Sequence, residues 1–179
     1  MEIWSDKSKY SGEFNNGKKE GIGTFTWENG SIYYGEWREN MINGVGIFKY
    51  FDGRIYMGQF KNNKMEGFGD FIWNKDRKYT GFYKNDKKDG FGIYLSSKNK
   101  FFIGFWKEGK QEGFGKYYNS DNNDNVIIKY GIWKNGKKIH DIFSEEESIN
   151  LFNSEEAKFI YIFQWNKEKI KNFMKISIE

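Results

Sequence analysis

The 179-residue chain contains no cysteine and a single histidine, His140. The first absence excludes disulfides and thiolate-held zinc or iron–sulfur centres, and the second a histidine-based metal or catalytic cluster. No apolar run is long enough to span a bilayer, and no secretory leader is recognisable. Glu2 stands where myristoylation needs glycine, and prenylation has no cysteine to use. These absences point to the cytoplasm, with any membrane contact peripheral. Net charge is only +4 at pH 7, a mild bias and not the footprint of a nucleic-acid binder. What the chain has in excess is rings. Phe, Tyr and Trp make up 21% of residues beside 30% charged ones, so large side chains can be buried under a polar exterior.

Glycine is placed with a strict period. Within "GKKEGIGTFTWENG", residues 17–30, Gly21-Ile22-Gly23 resembles a phosphate cradle. It returns as Gly44-Val45-Gly46, Gly67-Phe68-Gly69, Gly90-Phe91-Gly92 and Gly113-Phe114-Gly115, each 23 residues after the last. Gly12, Gly35, Gly58, Gly81 and Gly104 keep the same interval. A phosphate loop is normally used once, so the repetition is architectural. A sixth unit starts at Lys129, with its glycine pair replaced at His140-Asp141-Ile142. Residues 2–9 read as half of a preceding unit.

Inside a unit the period is two. Tyr10, Gly12 and Phe14 alternate with Ser11 and Glu13, and Gly21, Gly23, Phe25 and Trp27 alternate with Ile22, Thr24 and Thr26. That is strand periodicity. Polar connectors such as 15–20 separate the two strands of each unit, so the chain predicts consecutive β-hairpins in one long antiparallel meander. Glycines share a face with the rings, and glycine in a strand lets a bulky neighbour approach the backbone. Rings of adjacent hairpins are therefore expected to lie over Gly21, Gly23 and their counterparts.

Tyr-x-Gly-x-Trp/Phe followed by Gly-x-Gly at this period resembles the MORN (membrane occupation and recognition nexus) repeat, over roughly residues 2–143. The resemblance implies an elongated, twisted, single-layer sheet with a groove on one face. It also implies a scaffold or adaptor in cytoskeletal, axonemal (cilium) or membrane-contact assemblies. Two segments follow: a repeat array over 1–143 and a helical extension over 144–179.

Three columns of the array are candidate sites. On the ring face, Tyr10, Phe14, Tyr33, Trp37, Tyr56, Phe60, Tyr79, Tyr83 and Trp106 are expected to line a groove for a helix or extended peptide of a partner. Along the hairpin turns, Lys18, Lys19, Lys64, Lys87, Lys88, Lys110, Lys134, Lys137 and Lys138 form a basic edge. That edge suits solubility or, as the alternative function, a peripheral tether to anionic phospholipids. On the opposite face a column runs Glu13, Glu36, Gln59, Phe82, Phe105, Ile132, and a second runs Ile22, Val45, Phe68, Phe91, Phe114. Hydrocarbon replaces carboxylate toward the C-terminus.

The expected cover for Phe82, Phe91 and Phe105 is the tail, the alternative being a tail helix that binds a partner or a membrane surface. Ser144 with Glu147 and Asn153 with Glu156 have capping-box spacing, predicting helices near 145–152 and 154–176. Phe159, Ile162, Phe163, Ile170, Phe173 and Met174 form an apolar stripe on the longer one.

Chemistry has little foothold. No nucleotide-binding glycine motif precedes a helix. Glu20, Glu66, Asp89 and Glu112 stand at least one hairpin apart, about 9.5 Å, too far for a compact carboxylate pair, and read as solvated charges. Asp121, Asn123 and Asn125 imitate a calcium loop but lack its glycine and final glutamate. No cofactor, metal or enzymatic activity is expected.

Overall fold

The computed structural model describes residues 2–120 and 125–142. They form β1 (Glu2–Ile3), β2 (Lys9–Asn15), β3 (Lys18–Thr26), β4 (Ile32–Arg38), β5 (Met41–Lys49), β6 (Ile55–Lys61), β7 (Lys64–Asn74), β8 (Arg77–Lys84), β9 (Lys87–Ser97), β10 (Lys100–Lys107), β11 (Lys110–Ser120), β12 (Val126–Lys134) and β13 (Lys137–Asp141). All belong to one sheet whose spatial order is the sequence order, with every neighbouring pair antiparallel. This is the expected meander, including the half unit at β1 and the sixth hairpin β12–β13. Both predicted helices, and the boundary at 143/144, lie outside the described residues.

The hairpin connectors are tighter than the polar sequence suggests. Strands run on to Asn15 and restart at Lys18, leaving only Asn16-Gly17 as the turn. Both have positive φ, 48° and 74°, as do Glu39-Asn40, Asn62-Asn63, Asn85-Asp86, Glu108-Gly109 and Asn135-Gly136. Two successive left-handed residues make the type I′ turn, whose twist matches that of paired strands.

A rail of glycines crosses the sheet. Gly12 stands opposite Gly23, Gly23 opposite Gly35, and the pairing continues through every strand to Gly115 opposite Gly131. Over it lie Tyr10, Tyr33, Tyr56, Tyr79 and Phe102. A Cβ on Gly46 would stand 2.5 Å from Tyr33 Cζ, so no other residue fits. Each ring lies over its own hairpin's glycines, correcting the expectation that neighbouring hairpins supply them. Each phenol then donates to a carbonyl three residues on: Tyr10 to Glu13 and Tyr33 to Glu36 at 3.0 Å, Tyr56 to Gln59 at 2.9 Å, Tyr79 to Phe82 at 3.1 Å.

Gly21 also departs from the expected role. The β2–β3 register slips between Gly12 and Phe14, and Gly21 takes φ 68° beside the slip. The Glu13 side chain, not a ring, fills the space next to it, and its Oε1 accepts the Ile22 N–H at 3.0 Å. Glu36 serves Val45 likewise at 2.8 Å, and Gln59 serves Phe68 at 2.7 Å.

Candidate functional site

The rings expected to line an open groove are instead the core. Tyr10, Tyr33, Trp37, Tyr56, Phe60, Tyr79, Tyr83 and Trp106 are all buried, and only Phe14 is exposed, at 39%. They interlock edge to face as a zipper. Tyr10 meets Phe14 at 5.0 Å and Trp37 at 5.3 Å, and Tyr33 meets Trp37 at 5.4 Å and Phe60 at 5.3 Å. Tyr56 meets Phe60 and Tyr83, and Tyr79 meets Tyr83 and Trp106. The physical reason is the single layer. With no second sheet to bury against, the largest rings fold down over the glycine rail and shield one another.

A second rank of rings on the same face remains half-buried. Trp4, Phe25, Trp27, Phe48, Tyr50, Trp73, Tyr94 and Tyr117 pack against the zipper without being covered by it. They form a ladder across hairpins, with centroids 4.6 Å apart for Phe25–Trp27, 4.9 Å for Trp27–Phe48 and 4.5 Å for Phe48–Tyr50. It continues through the buried Phe71 to Trp73 at 4.5 Å, and from there to Tyr94 at 6.0 Å. These residues went unmarked as a site in the sequence. Their signal is positional: ring residues two and four places beyond the second glycine of each unit.

The basic column divides. Lys19 Nζ lies 4.8 to 5.7 Å above Trp4, Tyr10, Phe25 and Trp37. Lys88 Nζ lies 4.3 to 5.3 Å above Trp73, Tyr79, Tyr94 and Trp106. Ile42 and Met65 pack at the equivalent places in intervening units. Burial, helped by Arg77, lowers the Lys88 pKa to about 8. Both lysines therefore belong to the ring face and not to the edge. Lys18, Lys64, Lys87, Lys110, Lys134, Lys137 and Lys138 stay exposed along the turns. Of these, Lys87 pairs with Glu108 at 2.5 Å and Lys138 with Asp141.

The recurring carboxylates are latches and not merely solvated charges. Glu20 accepts the N–H of Glu39 at 2.9 Å, Glu66 that of Asn85 at 2.9 Å, Asp89 that of Glu108 at 3.3 Å, and Glu112 that of Asn135 at 2.8 Å. Each ties its hairpin to the turn of the next. Among the described residues no group of three or more acidic or histidine side chains is placed to hold a metal.

Architecture, tyrosine–glycine packing and turn latches all repeat in one register, and one family model matches that register. It describes the MORN repeat and matches residues 10–32, 33–53, 56–76, 79–100 and 102–123. The chain belongs to the MORN-repeat family. MORN repeats are non-enzymatic modules that engage proteins or membranes. Comparison with curated proteins finds no match. The matched MORN units end before β12–β13, the hairpin whose glycine pair is lost.

The second face of the MORN array changes character along its length. Near the N-terminus Glu20, Glu36, Arg38 and Asn43 line a cleft together with Ile22 and Trp37. Toward the C-terminus Phe68, Phe91, Ile103 and Phe114 are buried, with Phe82, Ile93, Phe101, Phe105, Ile132 and Ile142 packed around them. Phe82 and Phe105 stand where earlier units use a carboxylate or amide to cap the bulge. Phe68 meets Phe82 at 5.6 Å and Phe91 meets Phe105 at 5.3 Å, so the residues expected to form one patch are together.

Proposed function

We propose that this chain is a non-catalytic scaffold that takes a helix or extended peptide of a partner protein along the ring ladder of its first face. The observation that carries this reading is the continuous ring contact from Phe25 to Tyr94, partly exposed at every ring but the buried Phe71. Rigid rings give a partner large contact area at small entropic cost. Arg54 lies 4.9 Å over Tyr50 and Arg77 4.9 Å over Trp73, so cations are interleaved with the rings. An amphipathic segment with acidic side chains suits such a surface. The setting proposed is cytoplasmic, in a cytoskeletal, axonemal or membrane-cortex assembly.

Serine already occupies the ladder position in the fourth unit, as Ser96. Trp27→Ser with Trp73→Ser is therefore the variant expected to keep the array folded while losing partner capture. Full capture by that variant would reject the ladder.

The exposed turn lysines favour a second reading, a tether to anionic phospholipids. Lys134, Lys137 and Lys138 form its most basic turn. Sedimentation with anionic vesicles at low salt tests it: binding that collapses at high salt supports it, since surface charges are screened. No binding at low salt rejects it.

A further inference from the structure

We propose that residues 144–179 fold back over the second face of β7–β12 and form a second layer there, leaving the first face free for a partner. The chain leaves the array at that face. Ile142 packs against the Phe68–Phe114 cluster, and its N–H reaches the Tyr130 carbonyl at 3.3 Å. Beside the cluster lies a shallow cleft of about 340 Å³ lined by Lys78, Thr80, Ile93, Leu95, Phe101 and Ile103. Phe82, Ile93, Phe101, Phe105 and Ile132 around the buried cluster are only partly covered, so hydrocarbon is left open on this face.

Lengths agree. Six strands, β7 to β12, span about 24 Å at the usual spacing. A helix over 154–176 would be roughly 34 Å long, enough to cross them all. Its stripe of Phe159, Ile162, Phe163, Ile170, Phe173 and Met174 supplies the complementary hydrocarbon. Further along this face Glu13 and Glu36 stand where Phe82 and Phe105 stand here, so the phenyl pairs are confined to its C-terminal half.

Amine-reactive cross-linking of the full chain tests the placement without any partner, so its failure is separate from failure of the ladder reading. Lys78 and Lys116 project from the second face, since each pairs across strands with residues of that face. Lys129 pairs with Tyr117 on the first face. Tail lysines Lys158, Lys167, Lys169 and Lys171 are expected to link within one molecule to Lys78 and Lys116. Phe163→Asp with Phe173→Asp should abolish those links while leaving the β-sheet spectrum intact. Three outcomes overturn the proposal: tail links confined to Lys129 and other first-face lysines, links only between isotopically distinct copies, or tail lysines linking only with one another.

Discussion

Tyr79 and Tyr83 stack edge to face at 5.2 Å, yet their hydroxyls are in opposite circumstances. Tyr79 donates to the Phe82 carbonyl, whereas Tyr83 Oη is buried with no hydrogen-bond partner among the described residues. Tyr79→Phe should therefore cost about 1 kcal/mol, the net worth of one hydrogen bond. Tyr83→Phe should be neutral or stabilise by about 1 kcal/mol, because it removes an unsatisfied buried group. Phe60 already holds the equivalent place one unit earlier. Chemical denaturation of the two variants decides the matter, and equal shifts would contradict the zipper. Trp37→Ala and Phe60→Ala, both core changes, should each cost about 3–5 kcal/mol. Alkali reads the same core. Burial, then the Glu13 and Glu20 carboxylates, push Tyr10 up to about 12, and burial raises Tyr33, Tyr56, Tyr79 and Tyr83 as well. Unfolded phenols ionise near pH 10 while the folded ones still hold their protons. The contribution of Tyr10 is thus complete below pH 10 and is lost as pH rises from there through about 12, while that of the more deeply buried Tyr33, Tyr56, Tyr79 and Tyr83 persists to higher pH. Tyrosinate absorbance should appear together with loss of the sheet. Phenols that titrate near pH 10 in a still-folded array would contradict their burial.

At the scale of the hairpin, stability rests on the turn. Asn63 N donates to the Ile42 carbonyl at 2.9 Å, and its Oδ1 accepts the Ile42 N–H at 2.8 Å, all with φ at 65°. Asn63→Ala loses the side-chain bond and strains the backbone, so it should cost about 1–2 kcal/mol. Asn63→Gly keeps the backbone conformation and should cost less. Thermal midpoints of the two variants order them, and an alanine variant as stable as the glycine one would contradict the strain assigned to the left-handed turn. Much of the hairpin was legible in sequence, because Tyr10, Gly12, Gly23 and their counterparts return in register and alternate with a period of two. The tight turn was not, since Lys18-Lys19 reads as part of a polar loop although both residues belong to β3. Burial of Trp37 was hidden for a different reason. It depends on Tyr10 from the preceding hairpin and Tyr33 from its own, and periodicity fixes the face of a side chain but not what lies over it. The ladder was masked by the same limit, since Phe25 and Trp27 share the face of the core rings.

At the scale of the whole molecule, each hairpin pairs only with its immediate neighbours, so the array is a linear chain of similar units. The buried zipper runs from Tyr10 to Trp133 through the described array, while the surfaces that vary lie beside it and behind it. A local change in the ladder should leave distant units intact, which makes binding and folding separable by mutation. On the proposed function the ring ladder, and not the lysine edge, receives the partner. Quantitative capture from cell extract with three full-length baits tests it most directly: the unchanged chain, Trp27→Ser with Trp73→Ser, and Lys134→Gln with Lys137→Gln and Lys138→Gln. Circular dichroism verifies that all three are folded. Proteins held by the unchanged chain should be lost by the tryptophan variant and retained by the lysine variant. Retention by the tryptophan variant together with loss by the lysine variant would contradict it.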